Sequence, residues 1–347
     1  MGRLGLGVLV VLLTSMAPLP LPSAQTSAVG RVQQLAPDVY FYEGDIRKGH
    51  CNNGWVVFDD FVLVIDANYP SGAREVMAKI RELTNKPIRF AFDTHHHGDH
   101  AYGNQVWADQ GATPVANTGV LEEMKRLETG HFGDHPGRWE DDAKNREDLR
   151  DTKLKPPTLL FPDTLIFDDG TRRVELRHFG TAHTKGDSVA WLPKEKILFT
   201  GDVVVNGPYN FVGDGDVRSW IGILAKVAEL GPVKVGPGHG PLGDVSTVQD
   251  QSQFFQALVS SVTAAMKGRT PEAVQAAIPS IRADVLKNGS IARYVGDDFP
   301  AQVAKVYTEL TGLTFPDRRA EIEAERLHLA WHHGDTDEHV TGGHDRP

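Results

Sequence analysis

The chain has 347 residues, 24% of them charged, and its formal net charge is −10 with no block of Lys and Arg. An acidic chain of this kind lacks the cationic stripe that follows a phosphate backbone, so nucleic acid is excluded as a partner. The single cysteine, Cys51, cannot form an internal disulfide, and a packed core must therefore stabilise the fold.

The first two dozen residues have the pattern of a secretory signal peptide. A positive charge at Arg3 precedes an apolar run at residues 4–13, and small residues follow up to Ala24. The apolar run is shorter than the about 20 residues that cross a bilayer. We predict a signal peptide at 1–24, a periplasmic or secreted mature chain, and no membrane span in that mature chain. An uncleaved N-terminal anchor is the alternative.

Strand and helix patterns alternate through the first half of the chain. The predicted elements are a strand at 38–42, a hairpin at 54–66, an amphipathic helix at 71–83, a strand at 88–92, a helix at 102–109 and a strand at 113–116. Strands that alternate with helices are typical of α/β proteins.

The second half predicts more strands and then helices. Residues 138–151 carry dense charge of both signs, which is typical of a solvated helix face; a substrate-covering lid formed by residues 121–155 is the alternative. The further elements are strands within 159–179 and 188–200, a helix at 217–230, a strand at 233–235 and a mostly helical stretch at 245–313. The predicted units are a catalytic domain at 30–265, a helical C-terminal extension at 266–320 and a disordered tail at 321–347.

The segment "THHHGDH", residues 94–100, places four histidines and an aspartate in seven positions directly after a predicted strand. Imidazole and carboxylate groups bind zinc and other first-row metals. His95 and His97 are two residues apart in extended chain, so their side chains point the same way. His96 lies between them, points away, and is not a predicted ligand.

Gly98 lets the backbone turn, which brings Asp99 and His100 toward a second position near the first. A catalytic zinc takes three protein ligands and keeps an open position. If the motif serves two metals, further ligands must therefore come from elsewhere in the chain.

Three such residues follow later strands. His183 lies in "GTAHTKGD", Asp202 in "LFTGD" and His239 in "GPGHG", each just after a strand-like run. Ligands in open α/β sheets bind beyond the carboxyl ends of strands. The spacing therefore predicts that these residues complete the site.

The ordered set of motifs resembles that of the metallo-β-lactamase superfamily, over roughly residues 36–265. The resemblance implies an α/β fold of the αββα sandwich type with a C-terminal helical extension, and two Zn²⁺ as cofactors, with Fe or Mn as alternatives. It implies that His95, His97 and His183 hold one metal and that Asp202 bridges both. The other metal would have the ligands Asp99, His100 and His239.

The same resemblance implies a metallohydrolase that uses a metal-bridging hydroxide on a small-molecule acyl substrate: a thioester, lactone, ester or β-lactam amide. Two cations about 3.5–4 Å apart lower the pKa of a shared water to around 7 or below. Asp99 would orient this hydroxide and pass its proton to the leaving group, so Asp99 and Asp202 are the predicted catalytic residues. A bridging Asp202 is similar to the thioesterase and lactonase branches and lowers the expectation of efficient β-lactam hydrolysis. The alternative function is a periplasmic mononuclear-iron sulfur oxygenase or a redox accessory protein.

The loop "VVVNGPYNF" follows Asp202 and supplies the predicted substrate-binding residues Asn206, Tyr209 and Asn210. Tyr209 could donate a hydrogen bond to a substrate carbonyl oxygen; a packed loop aromatic is the alternative. The sequence indicates neither the acyl group nor the oligomeric state.

Some further residues have weaker patterns. Asp93, Thr94 and Asp187 are either hydrogen-bond partners of the ligand histidines or ordinary turn residues. Cys51 is interpreted as a small buried apolar residue, with a reactive thiol or a metal ligand as alternatives. "WHHGDTDEH" at 331–339 lacks a preceding strand and is interpreted as a tail with incidental metal affinity.

Overall fold

The structure is a computed structural model that describes residues 28–316. The predicted signal peptide and the predicted tail lie outside the described residues. Within residues 28–316 the chain forms two β-sheets, one of seven strands and one of five, with helices on their outer faces.

The larger sheet holds its strands in chain order. They are β1 (Val32–Ala36), β2 (Val39–Tyr42), β3 (Asn53–Val57), β4 (Val62–Ile65), β5 (Ile88–Asp93), β6 (Thr113–Asn117) and β7 (Leu159–Phe161). Strands β1 to β4 pair antiparallel, and β4 to β7 pair parallel. The parallel part brings the carboxyl ends of β4, β5 and β6 to one edge of the sheet.

The smaller sheet has the order β12-β11-β10-β9-β8. Its strands are β8 (Thr164–Asp168), β9 (Arg173–His178), β10 (Ser188–Leu192), β11 (Ile197–Phe199) and β12 (Lys234–Gly236). Only the β11–β12 pair is parallel among these strands, so both of these strands also end at one edge.

The helices follow the strands in two groups. The first group is α1 (Pro70–Leu83), α2 (Gly98–Ala101), α3 (Asn104–Ala108), α4 (Thr118–Leu127), α5 (Thr129–Phe132), α6 (Arg138–Asn145) and α7 (Glu147–Arg150). The second group is α8 (Val217–Glu229), α9 (Val245–Met266), α10 (Pro271–Ala276), α11 (Ile278–Val285) and α12 (Phe299–Thr311). In this part of the chain no helix is long and apolar enough to cross a membrane.

Three apolar layers hold the sheets and helices together. Phe92 and Phe199 lie in the layer between the two sheets, Val76 of α1 packs on the outside of the larger sheet, and Trp220 of α8 packs on the outside of the smaller sheet. Burial of apolar surface on both faces of each sheet drives this arrangement. The predicted αββα order is therefore confirmed.

The C-terminal helices share the apolar core of α8 and α9. Val274, Ile281, Phe299 and Val303 are buried in the same cluster as Trp220. The helical pattern predicted for 245–313 is confirmed by α9 to α12. In the structure these helices extend the outer layer of the sandwich.

The predicted helix at 102–109 was wrong at its start. Helix begins at Gly98, within the metal-ligand motif, and α2 and α3 are separate short helices. Gly98 is required for packing, because a Cβ there would lie 2.6 Å from the ring of Tyr102. The motif therefore changes from extended chain to helix between His97 and Gly98.

The charged segment at 138–151 and the residues directly after it have a buried face that their composition does not indicate. Trp139, Leu149 and Leu154 form an apolar cluster with Tyr69 and Tyr102, beside α1 and α2. The prediction of a solvated face holds only for the opposite side of these helices.

Replacement of Phe299 by Ala tests whether α12 belongs to the main core. Phe299 is fully buried, so Phe299→Ala should lower the free energy of unfolding by about 3–5 kcal/mol within a single transition. Urea unfolding followed by circular dichroism measures this change. The control Phe132→Ala removes an exposed ring and should change it by less than about 0.5 kcal/mol. A separate early transition in Phe299→Ala would contradict a shared core.

Candidate metal centre

The sandwich brings the ends of strands from both sheets to a common edge. "THHHGDH" follows β5 of the larger sheet, whereas His183, Asp202 and His239 follow β9, β11 and β12 of the smaller one. All seven predicted ligands are buried. The structure therefore brings together residues that are up to 144 positions apart, from His95 to His239.

The first group consists of His95, His97 and His183. One ring nitrogen of each lies within 4.8 Å of the others. His97 Nδ1 and His183 Nε2 are 2.9 Å apart. Three imidazoles with an open fourth position are a donor set that suits a catalytic zinc.

The second group consists of Asp99, His100 and His239. Asp99 Oδ2 lies 3.1 Å from His239 Nε2 and 3.3 Å from His100 Nε2, and the two histidine nitrogens are 3.4 Å apart. A second set of three donors therefore faces one point.

Asp202 lies between the two groups. Its Oδ2 is 3.5 Å from His183 Nε2 of the first group and 3.5 Å from His239 Nε2 of the second, while its Oδ1 is 3.4 Å from His100 Nε2. A carboxylate placed in this way can contribute to both groups.

Hydrogen bonds on the outer nitrogens orient the rings of the first group. His95 Nδ1 lies 3.2 Å from Thr94 Oγ1, His97 Nε2 lies 2.9 Å from Asp214 Oδ2, and His183 Nδ1 lies 2.9 Å from the carbonyl oxygen of Phe211. When each outer nitrogen donates its proton, the other nitrogen of the ring is left as an acceptor. These inward nitrogens are then lone pairs available to a metal.

Asp66 connects both groups from outside. Its Oδ1 accepts a hydrogen bond from Thr94 Oγ1 at 2.7 Å, and its Oδ2 lies 3.1 Å from His100 Nδ1. The sequence analysis missed Asp66, although the residue directly follows β4 and β4 is the parallel neighbour of β5. Strand-end position was the signal that could have found it.

The buried charges and lone pairs fit a bound cation. Burial and the neighbouring histidines hold the pKa of His95 and His97 well below the ordinary value, so both rings are neutral. His97 Nδ1 and His183 Nε2 lie 2.9 Å apart, and two acceptor nitrogens at this distance repel each other unless they share a cation. His95 Nε2 also has no hydrogen-bond partner among the described residues. The donor set of the two groups therefore fits the implied metals.

The close approach of the Gly238 backbone to Gly201 and Asp202 places His239 at the site. A Cβ on Gly238 would lie 1.9 Å from Asp202 Oδ1, so only glycine permits this approach. The backbone nitrogen of Gly238 also donates to the carbonyl oxygen of Gly201, beside Asp202. The "GPGHG" segment thus depends on Gly238 as well as on His239.

The loop after Asp202 packs against the loop that holds His239. The rings of Tyr209 and His239 are 6.0 Å apart, and Asn206 Nδ2 donates to the carbonyl oxygen of Pro241. Both Tyr209 and Asn206 are partly exposed at the site.

Asn210 requires a correction. Its side chain is fully buried, its Oδ1 accepts a hydrogen bond from Gln251 Nε2 at 2.8 Å, and its carbonyl oxygen accepts one from Gln302 Nε2 at 2.8 Å. Asn210 therefore holds the loop in place through two hydrogen bonds, and its Nδ2 has no hydrogen-bond partner among the described residues.

The weaker candidates from the sequence, Asp93, Asp187 and Cys51, all contact other residues of the protein. Asp93 Oδ2 accepts from Asn104 Nδ2 at 2.7 Å, and Asp187 accepts from the backbone nitrogen and the hydroxyl of Thr184, which shapes the loop after His183. Cys51 is fully buried, and its Sγ lies within 4.8 Å of a carboxylate oxygen of Asp66 and a ring nitrogen of His100. Burial raises the pKa of the Cys51 thiol. The thiol is therefore protonated at neutral pH.

His96 is a member of neither group, although its ring lies 4.6 Å from that of His97. Its Nε2 is 3.7 Å from Asp214 Oδ2, on the outer side of His97. The same Asp214 pairs with Arg138 at the start of α6, at 2.7 Å from Nη1. The sequence did not indicate Asp214, because it lies in a Gly-rich loop with no strand before it. It did not indicate Arg138 either, because that residue begins a segment of dense mixed charge.

The comparisons with known proteins agree with this geometry. The model of the metallo-beta-lactamase superfamily matches residues 46–239, which is more than half of the chain. The chain therefore belongs to the metallo-β-lactamase superfamily. Members of this superfamily are metal-dependent hydrolases.

The individual relative described next matches a shorter part of the chain than the family model does. A protein of Bacteroides fragilis described as "Metallo-beta-lactamase type 2" is 29% identical over 115 residues, which are 32% of this chain and 46% of that protein. The chain thus matches about half the length of this curated relative.

Two solved structures share the fold. A metallo-beta-lactamase from Pontibacter korlensis is 21% identical with a TM-score of 0.51, over 65% of this chain and 98% of that one. DIM-1 metallo-beta-lactamase is 20% identical with a TM-score of 0.51, over 65% and 96%. At this identity the two structures support the fold only.

Asp66→Asn tests the outer support of the site. An amide has one acceptor oxygen, so it cannot serve both Thr94 Oγ1 and His100 Nδ1. Metal affinity should fall by about 10–100-fold, measured as competition for Zn²⁺ with a chromophoric chelator. The control Asp60→Asn changes an exposed carboxylate and should leave affinity within about twofold. Unchanged affinity in Asp66→Asn would show that Asp66 does not support the ligands.

The buried carboxyl of Asp142, in the segment beside the site, should make the free energy of unfolding depend on pH. Burial raises the pKa of Asp142 from 3.8 to about 7, and Tyr69 donates a hydrogen bond to it at 3.0 Å. Because the folded-state pKa is the higher one, the carboxyl destabilises the fold increasingly as pH rises through this range.

Asp142→Asn should therefore stabilise the metal-free protein more at pH 8 than at pH 5, by about 1–2 kcal/mol in urea unfolding. The control Asp141→Asn alters an exposed carboxylate that pairs with Lys144. It should show no such difference between the two pH values. An equal effect of Asp142→Asn at both would contradict the raised pKa.

Proposed function

We propose that this protein is a di-zinc hydrolase of a small acyl substrate, exported to the periplasm or beyond the cell. The observation that carries the proposal is the position of Asp202, whose carboxylate oxygens lie 3.4–3.5 Å from nitrogens of both ligand groups. A shared carboxylate between two sets of three donors is the arrangement that two-metal hydrolysis needs.

Asp202 and Asp99 would have different roles in the hydrolysis. When bound, two divalent cations would lower the pKa of a shared water and polarise a carbonyl oxygen. Asp202 would keep the two cation positions at a fixed separation. Asp99 would orient the attacking water and pass its proton to the leaving group, because its buried carboxylate is one of the three donors of the second group.

The substrate would enter beside Tyr209 and Asn206. Both residues are partly exposed, and the Tyr209 ring lies next to that of His239. Burial raises the pKa of the Tyr209 hydroxyl, so it remains a hydrogen-bond donor at neutral pH. It could therefore hold the carbonyl oxygen of a thioester, lactone, ester or β-lactam.

Metal content and turnover test the proposal together. Purified protein should contain about two Zn²⁺ per chain and hydrolyse at least one member of a panel of thioesters, lactones, esters and β-lactams. His97→Ala should lower turnover by more than the about 10–100-fold that loss of an outer partner costs. The control His131→Ala removes an exposed histidine and should leave turnover unchanged.

Three outcomes would contradict the proposal. One iron per chain would favour the mononuclear oxygenase instead. Absence of turnover across the panel with Zn²⁺ restored would exclude acyl hydrolysis. Full turnover in His97→Ala would exclude the first ligand group from the chemistry.

Export is tested separately from catalysis. The proposal of a cleaved signal peptide rests on the charged, apolar and small-residue order of residues 1–24. Expression of the full chain followed by intact-mass measurement of the protein outside the inner membrane should show removal of these residues. Protein that keeps its first 24 residues would contradict cleavage.

A further inference from the structure

Asp214 connects a metal-ligand candidate to a distant helix. Its Oδ2 accepts from His97 Nε2 at 2.9 Å and from Arg138 Nη1 at 2.7 Å, and its Oδ1 accepts from Arg138 Nη2 at 3.1 Å. Arg138 is the first residue of α6, 76 positions before Asp214 in the chain. Both oxygens of the carboxylate are therefore held by one guanidinium.

The two-point contact fixes the plane of the carboxylate. A guanidinium offers a rigid fork that matches two carboxylate oxygens, and it stays charged at every relevant pH. His97 Nε2 therefore meets a carboxylate whose direction is set by Arg138.

Orientation matters here because Asp214 has a second histidine within reach. His96 Nε2 lies 3.7 Å from Asp214 Oδ2, against 2.9 Å for His97 Nε2. His96 is fully buried, and neither ring nitrogen has a hydrogen-bond partner within 3.5 Å among the described residues. A small rotation of the carboxylate would therefore exchange His97 for His96.

We propose that Arg138 is a positioning residue for the first metal position. By clamping Asp214 toward His97, it keeps the proton of His97 on Nε2 and leaves Nδ1 as the acceptor that faces His183. The inference rests on the proposed function only in assuming that His95, His97 and His183 bind a metal. Such outer partners orient ligands and raise their basicity.

Arg138 is not the main anchor of its segment. The hydroxyl of Tyr102 bonds Glu128, and the guanidinium of Arg146 stacks 3.6 Å from the Tyr69 ring and donates to the carbonyl oxygen of Lys48. These contacts hold residues 128–146 independently of Arg138. Loss of Arg138 should therefore release Asp214 while α6 stays in place.

The test measures metal binding without any substrate. Zn²⁺ competition with a chromophoric chelator, and the visible spectrum with Co²⁺, are compared among wild type, Arg138→Met, Arg138→Lys, Asp214→Asn and the double variant Arg138→Met/Asp214→Asn. Arg138→Met should weaken metal binding at the first position by about 10–100-fold and change the Co²⁺ spectrum. Arg138→Lys, which restores charge but not the fork, should lose less. The double variant should be no weaker than Asp214→Asn alone.

Arg146→Gln is the matched control on the same segment. It removes an arginine that bonds Lys48 and Asp148 and stacks on Tyr69, so it should lower thermal stability and leave Zn²⁺ affinity within about twofold. Thermal unfolding of each metal-free variant verifies that it is folded. Arg138→Lys and Asp214→Asn keep the test decisive if Arg138→Met does not fold.

Three results would overturn the inference. They are Zn²⁺ affinity of Arg138→Met within twofold of wild type, additive losses in the double variant, and an equal loss in Arg146→Gln. A wild-type chain that binds Zn²⁺ but hydrolyses no acyl substrate would overturn the proposed function and leave this inference standing. A wild-type chain that binds neither Zn²⁺ nor Co²⁺ would overturn both.

Discussion

The inward orientation of the histidine acceptor nitrogens is the constraint on which the rest of the site depends. A neutral imidazole has one donor and one acceptor nitrogen, and the bond made by the donor decides which nitrogen can bind a metal. Thr94, Asp214 and the carbonyl oxygen of Phe211 take the outer donors of the first group. The acceptors therefore meet in a buried space, where a bound cation would compensate the neighbouring carboxylates.

Two of the hydrogen-bond partners of the ligand histidines lie on a loop that the C-terminal helices support. The loop that carries Phe211 and Asp214 is held by α9 and α12, because Gln251 and Gln302 both bond Asn210 in that loop. Lys305 Nζ also donates to the carbonyl oxygen of Gly213 at 3.3 Å. The C-terminal helices thus act on the metal centre through the backbone of one loop. Their burial in the core of α8 gives that loop a rigid support.

The sequence allowed much of the fold and the ligand set to be predicted. The alternation of strand and helix patterns predicted an α/β fold, and the resemblance to the metallo-β-lactamase superfamily added the αββα layer order. His183, Asp202 and His239 were singled out because each follows a strand. β1 was missed because Gln33 and Gln34 make it a polar edge strand. Asn210 was assigned to substrate because loop position suggests exposure, whereas two glutamines from distant helices bury it.

The sequence by itself determined which donor types this protein can offer a metal and in what order. That information is local, because ligand chemistry belongs to the side chain and the strand before it is visible as a pattern. Only the tertiary structure decided which nitrogen of each histidine faces inward and which residues orient it. Arg138, Asp214 and His97 meet through the path of a Gly-rich loop and the packing of a charged helix. No local periodicity encodes such contacts, since they depend on how separate elements pack.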